Sequence, residues 1–572
     1  MRVNFDRTGV VTLKGSLLGA FLLLLLFVAI TVSISRSKSN TWDESAHLMA
    51  GYAYIEEGMD YLSPLNHPVT GRAISALLPA LLYDLDFDKS VMPEGAPGSN
   101  FFQYSLKFMF ENSVPGEKIL LSARAGTIII GALLLVFVYL WSYRLWGGTA
   151  ALLSVLFTAL SPNILAHSAL ATTDLPITAF FFISTYFLYR LSGEEGTHLT
   201  ALFAALLIAL ALTTKHSALF LVPIFAASFI VRLRVSTLKR TLGLYIPVLV
   251  LVYLFIWAFY GFRFHSPAIG YTPLDWARFD ASAFAPLYDF IRSFKLLPES
   301  YLYGVAGVLS GASTGRAAFL MGEYSGTGWW HYFTIAFLLK TPIPALILLA
   351  ASVIYLLRDM VKGLAGKRSS RKLGALWLLL PVLMLFILVS AQNVNIGLRH
   401  LLPIYPFIFV LIGSVVTIKT ESVRLAKRVF VVAIAWYVIA AASTYPHQLA
   451  YFNEFIGDPD NGYKYLVDSN LDWGQDLPAL KEFMVERDIK KIKFAYFGFS
   501  DPKYYGIEYD YLPSYYMPMT EGAGGDIELE GWFAISATML QGVYLPNRDM
   551  YRFFRERTPE AVLGHSIFIY KF

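Results

Sequence analysis

The run Leu17-Leu18-Gly19-Ala20-Phe21-Leu22-Leu23-Leu24-Leu25-Leu26-Phe27-Val28-Ala29-Ile30-Thr31-Val32-Ser33-Ile34 carries no charge and is long enough to cross a membrane as a helix. A basic segment (Arg2, Arg7, Lys14) precedes it, as in a signal peptide, but the run is long for one and no small-x-small cleavage site follows. We read it as an uncleaved first span. The chain then continues Asn40-Thr41-Trp42-Asp43-Glu44-Ser45-Ala46-His47. Two adjacent carboxylates thus stand close to where the backbone leaves the lipid. Acids in such a place are costly unless they hold a metal, pair with a cation or move a proton. The plain alternative is the start of a wetted loop.

Composition carries this reading to the whole chain. Of 572 residues, 56% are hydrophobic and only 15% charged, against roughly 25% in soluble globular chains. Apolar windows recur at about 14–34, 119–141, 149–166, 174–191, 199–214, 216–231, 242–260, 331–357, 374–391, 400–418 and 429–445. A multi-pass membrane protein of about eleven spans is expected. Loop charge tests the count: Arg232, Arg234, Lys239 and Arg240 form one basic loop; Arg358, Lys362, Lys367, Arg368, Arg371 and Lys372 a second; Lys419, Arg424, Lys427 and Arg428 a third. With eleven spans and a cytoplasmic N-terminus all three fall inside, whereas merging 199–231 into one helix puts them outside.

That orientation gathers the unusual polar residues on the outer face, in loops 35–118 and 261–330, at Lys215, in 392–399 and in the tail 446–572. The inner loops are short and hold no phosphate loop or dinucleotide fingerprint, and no nucleic-acid module is present. Chemistry on the outer face, without ATP or a nucleotide sugar, is expected. The absence of cysteine removes disulfides, thiolate metal sites and a Cys nucleophile. Within loop 35–118, Ala46–Glu57 and Val69–Tyr83 have helical spacing and suit the membrane interface, and Met92–Asn100 reads as a turn. After Pro446 the chain becomes more polar. Leu477–Glu486 reads as helix, Lys491–Gly498, Gly531–Leu540 and Ser566–Phe572 as strands, with helix near Asp549–Glu556. The domains are therefore 1–445 in the membrane and 446–572 as a small extracytoplasmic α/β domain.

Several outer residues suit catalysis. Asp43 and Glu44 can accept a proton or help hold a divalent cation. Asp174, in Ala171-Thr172-Thr173-Asp174-Leu175-Pro176, begins a span on the same side, where a helix cap is the alternative. Lys215, Arg399 and Arg72 suit phosphate oxygens, Arg through its fork; snorkelling to lipid headgroups is the alternative. Gly322-Glu323-Tyr324-Ser325-Gly326-Thr327-Gly328-Trp329-Trp330 places a carboxylate among aromatic planes, as a sugar-binding surface requires; an interfacial belt explains Trp329 and Trp330 but not Glu323.

The acidic pair after the first span, Asn66-His67-Pro68 with Arg72, the run 171–176, Gly322–Trp330 and Gly397-Leu398-Arg399-His400-Leu401-Leu402-Pro403 together resemble the family 39 glycosyltransferases. These are membrane enzymes that use polyprenyl-phosphate sugars, related to protein O-mannosyltransferases and aminoarabinose transferases. The ordered set covers about 1–445; Pro446–Glu454 and Asp468–Asp476 look like the tail of bacterial members. Trp329-Trp330-His331-Tyr332 departs from the Trp-Trp-Asp-Tyr-Gly of oligosaccharyltransferases and is not read as that motif.

The resemblance implies a mainly α, GT-C type fold in the cell membrane and a polyprenyl-phosphate-linked sugar donor. It also implies a protein or lipid acceptor and inversion at the anomeric carbon. By it Asp43 is the base with Glu44 in support, and Asp174 orients the acceptor or joins Asp43 at a divalent metal. Arg399, Lys215 and Arg72 hold donor phosphate, and His67, Glu323, Trp329 and Trp330 face acceptor or sugar. A flippase of lipid-linked sugars, or a polysaccharide polymerase or ligase, remains the alternative.

Overall fold

The computed structural model describes residues 12–62, 67–87, 99–265, 274–362, 370–418, 423–515 and 528–572. Every apolar window falls on helix. Seven helices among the described residues are long and apolar enough to cross a membrane alone, nine if two bent pairs each count as one span. This is fewer than the eleven expected. His198–Thr214 is apolar but only 17 residues long, and Val423–Ser443 lies outside the set. Of the windows that bend, 149–166 becomes Gly148–Ala159 and Pro162–Ser168 at 61°, and 331–357 becomes Tyr332–Lys340 and a second helix from Ile343 at 113°. Residues 63–66, 88–98, 363–369 and 419–422 lie outside the description. With them go Asn66, most of the Met92–Asn100 turn, and Lys367, Arg368 and Lys419.

Sharp breaks at membrane depth leave backbone groups that lipid cannot satisfy, at several kcal/mol each. Here protein satisfies them. Asn453 donates through Nδ2 to the carbonyls of Leu338 (2.5 Å) and Thr341 (2.7 Å), and its backbone N–H to Leu339 (2.8 Å). Asn163 Nδ2 donates to the Lys340 carbonyl at 2.7 Å. The buried Lys340 ammonium donates to the carbonyls of Leu449 (2.7 Å) and Asn470. Residues 448–470 are thereby built into the membrane part.

Asp174–Ser192 and Leu398–Thr417 are the most enclosed spans, whereas Leu13–Ser37 is turned mostly outward. Between the first two spans Glu44–Glu57 packs on Val69–Leu82. Gly51 permits their approach, since a Cβ there would lie 2.1 Å from the Arg72 carbonyl oxygen. Residues 44–53 are all buried.

The tail holds a mixed five-stranded sheet. Its strands are β1 (Ile492–Ala495), β2 (Tyr509–Tyr511), β3 (Trp532–Ser536), β4 (Ala561–Leu563) and β5 (Ile567–Lys571), ordered β2-β1-β3-β5-β4. β1 runs parallel to β2 and β3, and β5 antiparallel to β3 and β4. The three expected strands and the helix Leu477–Glu486 are present. The end of the second expected strand instead turns into helix at Ala537–Leu540. Only Arg552–Arg555 is helical near 549–556. Backbone hydrogen bonds tie the tail to the turn after the first span: Ser39 N–H to the Gln475 carbonyl (3.0 Å) and Trp42 N–H to the Trp473 carbonyl (3.1 Å).

Asp472 is buried beneath this junction and accepts the Thr538 N–H at 2.9 Å. Burial pushes its carboxyl up to about 7, against the pull of hydrogen bonds from Thr538, Ser536 and Gly474. The folded chain then holds a proton that the unfolded chain has released, so stability falls as pH rises from the ordinary carboxylate range to about 7 and is level above. Asp472→Asn keeps the acceptor and removes the charge. Its gain in melting temperature over wild type is expected to be larger at pH 8 than at pH 5; equal gains at both would show that the carboxyl titrates normally.

Candidate active site

The turn carrying Asp43 and Glu44 is held by a buried ion pair. Arg124, inside the span Gly116–Trp146, donates Nε to Glu44 Oε1 (2.8 Å) and Nη2 to Oε2 (2.7 Å). Its remaining hydrogen bonds go to the carbonyls of Ser35, Lys38 and Ser39. Glu44 also accepts the N–H of Thr41 (2.8 Å) and of Ala171 (2.7 Å). Burial pushes its carboxyl up, and the Arg124 guanidinium with these N–H groups more than reverses that, leaving it below the ordinary range. Glu44 is fully buried and does not line the cavity. Its expected catalytic place is corrected to a structural one. Arg124 went unread in the sequence, although an arginine within an apolar window calls for a partner.

With the turn fixed, Asp43 faces a cavity of about 680 Å3. Its Oδ2 accepts from Arg399 Nη1 at 2.8 Å. The same guanidinium nitrogen is 3.6 Å from Asp174 Oδ2, and Asp174 Oδ1 accepts from Lys215 Nζ at 2.6 Å. Four expected residues from four parts of the chain therefore form one line of alternating charge, Asp43, Arg399, Asp174, Lys215. Local structure places each. Asp43 precedes the helix Glu44–Glu57, Asp174 opens the helix Asp174–Ser192, and Lys215 is the extended residue between His198–Thr214 and the turn His216–Phe220. Arg399 lies in the 3-10 turn Leu398–Ile404 and rests on the Trp473 ring at 4.3 Å. Beside it, Gly397 lets Ser469 approach closely, since a Cβ there would meet Ser469 Oγ at 2.3 Å.

Exposure separates the acids. The Asp43 side chain is 23% exposed and Asp174 only 1%. Arg399 Nε and Asp174 Oδ2 are buried without a hydrogen-bond partner, an imbalance that native sites normally resolve with water or ligand. His67 also lines the cavity, its Nδ1 3.3 Å from Thr173 Oγ1 and its ring 4.7 Å from that of His47. Burial holds both imidazoles low, His47 at about 4, so both are neutral at physiological pH.

Three further expectations change. Arg72 lines the cavity but is buried and gives hydrogen bonds to the carbonyls of Pro68 (3.2 Å) and Leu62. Glu323 stands exposed on the hairpin of Ala318–Leu320 and Glu323–Ser325. Trp330 is 75% exposed and, like Trp329, does not line the cavity; as the sequence alternative has it, these rings suit an interfacial belt. Asp43 and Asp174 do not fit a metal ion either. Among the described residues no three His, Asp or Glu side chains converge as a metal site, and Arg399 bridges the two carboxylates. Conversely, Arg316, Asp468, Trp473, Phe497 and Tyr515 line the cavity unanticipated. Asp468 and Trp473 lie in the polar string 468–476, whose concentration of acids and amides was the available signal.

Residues 107–260, which contain Arg124, Asp174 and Lys215, match the model of a family described as dolichyl-phosphate-mannose-protein mannosyltransferase. No curated protein matches the chain. Among solved structures the chain is similar to ArnT from Cupriavidus metallidurans bound to undecaprenyl phosphate, at 11% identity and a TM-score of 0.48, with 98% of each chain covered. It is also similar to the Archaeoglobus fulgidus oligosaccharyltransferase in the apo form, at 14% identity and a TM-score of 0.40, covering 74% of this chain and 55% of that one.

Glu44→Gln preserves shape but leaves Arg124 charged and unpaired in the interior. A loss of roughly 3–5 kcal/mol is expected, read as a lowered melting temperature of the purified protein at neutral pH. Because the wild-type carboxyl is held low, its contribution is present above the ordinary carboxylate range and lost on acidification. The gap between variant and wild type should therefore narrow as pH falls, and a gap independent of pH contradicts the pairing.

Proposed function

We propose that this membrane protein is a glycosyltransferase that moves a sugar from a polyprenyl-phosphate donor to an acceptor hydroxyl, with Asp43 as general base. One observation carries the reading: a partly exposed carboxylate and two cations share the line Asp43, Arg399, Asp174, Lys215 on one cavity. The family match over 107–260 supports it.

The lipid phosphate is already a good leaving group, so the protein must place the acceptor, take its proton and receive phosphate charge. Oδ1 of Asp43 has no partner among the described residues, while Oδ2 is held by Arg399. As the acceptor oxygen bonds to the anomeric carbon, its proton passes to Oδ1. The bond from that carbon to the phosphate oxygen breaks on the opposite face, and the electron pair leaves with the lipid phosphate. Arg399, with Nε unsatisfied, and Lys215 line the cavity and receive that charge. Asp174 fixes both cations from behind. No step passes through a metal.

The site opens on the outer face. His216 lines the cavity at one end of the span His216–Leu233, and Arg232 and Arg234 stand at its other end. At about 2.0 Å per residue through the 3-10 turn and 1.5 Å through the α-helix, those ends lie about 30 Å apart, close to the thickness of a bilayer core. The positive-inside rule puts the basic end in the cytoplasm.

Asp43→Asn is expected to lower transfer by about 10²–10⁴-fold while leaving expression and donor affinity intact, measured as lipid phosphate released from a radiolabelled polyprenyl-phosphate sugar. Near-normal release would remove Asp43 as base. Arg399→Ala should weaken donor binding by roughly 10–100-fold, the worth of a charged hydrogen bond; unchanged affinity would remove Arg399 from the phosphate site. A protein that moves labelled donor across vesicles without releasing lipid phosphate is a flippase.

A further inference from the structure

Besides the charged line, the cavity has a wall of a different chemistry. Trp42 stacks on Phe497 (centroids 5.0 Å apart, 22° between planes) and on Tyr515 (5.6 Å, 23°). Tyr544 stacks on the same two rings, at 5.5 Å and 9° from Phe497 and 4.6 Å and 25° from Tyr515. Four nearly parallel rings thus form one block, and Trp42, Phe497 and Tyr515 reach the cavity. Polar groups border it. Asp468 lines the cavity and accepts from the Tyr544 hydroxyl, and Arg316, also on the lining, lies 5.9 Å from the Tyr544 ring.

We infer that this wall is the acceptor subsite and that the acceptor is a carbohydrate hydroxyl, on a glycolipid or a glycan chain. The inference rests on the transferase reading above. A pyranose offers a flat C–H face and a rim of hydroxyls. Stacked aromatic planes take the first, and a carboxylate and a guanidinium beside them take the second. Trp42 immediately precedes Asp43, so a sugar seated on the rings presents its hydroxyl beside the base. A polypeptide acceptor fits less well. Peptides bound in extended form add to a strand edge, and none of the residues lining this cavity belongs to a strand. The bonds made and broken are those already given, with the attacking oxygen and its proton belonging to the acceptor sugar. The role also explains why the tail is folded into the membrane part: Phe497, Tyr515 and Tyr544 come from it, Trp42 from the turn after the first span.

Two measurements on the full chain in lipid nanodiscs test this. Saturation-transfer NMR with methyl hexopyranosides reads the subsite directly, independent of donor chemistry. Signal is expected with wild type, with at least a fivefold loss in Phe497→Leu, which keeps apolar volume but not the ring, and recovery in Phe497→Tyr. Absence of signal, or equal signal in Phe497→Leu, overturns the subsite. Radiolabelled polyprenyl-phosphate sugar is then supplied with the same glycosides or with a Ser/Thr-rich peptide. Label on the glycosides, with acceptor KM raised at least tenfold in Phe497→Leu and donor affinity unchanged, supports the inference. Label on the peptide alone overturns it while leaving the transferase reading standing. Glycoside binding without any release of lipid phosphate instead defeats the transferase reading and the acceptor role that depends on it.

Discussion

The buried pair Glu44–Arg124 is the constraint on which the site depends. Two charges removed from water are expensive, and their attraction offsets that only with good geometry and full hydrogen bonding. Both conditions hold. The pair is bidentate, and the remaining Arg124 and Glu44 contacts go to backbone groups of residues 35–41 and to Ala171. One ion pair thus binds the end of the first span, the turn carrying Asp43 and the segment leading to Asp174 to the same helix. A hydrophobic pair of equal volume would fill the space without directing those backbone groups.

The charged line at the cavity is built on the opposite principle. Glu44–Arg124 is saturated, whereas Arg399 Nε and Asp174 Oδ2 are left without hydrogen-bond partners. A saturated pair holds; an unsaturated one can exchange a protein contact for a ligand. Arg399 is suited to such exchange, because its face is carried by the Trp473 ring and its position does not rest wholly on Asp43. Asp174 sits behind at the start of a well-enclosed helix, whose N-terminal dipole favours its charge.

How much of this was legible in the sequence follows from the physics of each residue. Hydropathy located the long apolar helices because lipid demands long apolar runs, and it passed over Ser99–Phe110, Ala285–Ser293 and Glu299–Thr314, which are short or too polar to stand out. Its windows 199–214 and 429–445 also became helices, though His198–Thr214 at 17 residues and Val423–Ser443 do not qualify as spans by length and composition, and the 113° bend at Lys340 lies inside a single window because hydropathy reports composition and not direction. Asp43, Asp174, Lys215 and Arg399 stood out as charges at the rims of apolar windows. Glu44 carried the same signal as Asp43 and has a different job, because adjacent helix-start residues point to different sides and only packing decides which faces the cavity. Trp329 and Trp330 misled for a related reason: aromatic residues near a membrane surface have a second use. The tail's contribution left little trace, since Phe497 and Tyr515 are ordinary apolar residues of a sheet domain until the fold lays them on Trp42.

A tail that merely steadied the outer loops would need contacts at its surface, and hydrogen bonds such as Ser39 to Gln475 supply them. It would not need to send Trp473 beneath Arg399, Asn470 to the N–H of Leu398 at 2.9 Å, or Asn453 into the bend at Leu338–Thr341. These residues enter the membrane part where its own backbone is broken or its cation needs a platform. Tail residues thus supply a platform for the Arg399 guanidinium and hydrogen bonds to the bend at Lys340. The membrane part and the tail are therefore halves of one site, and a boundary near residue 445 divides the sequence by composition without dividing the function.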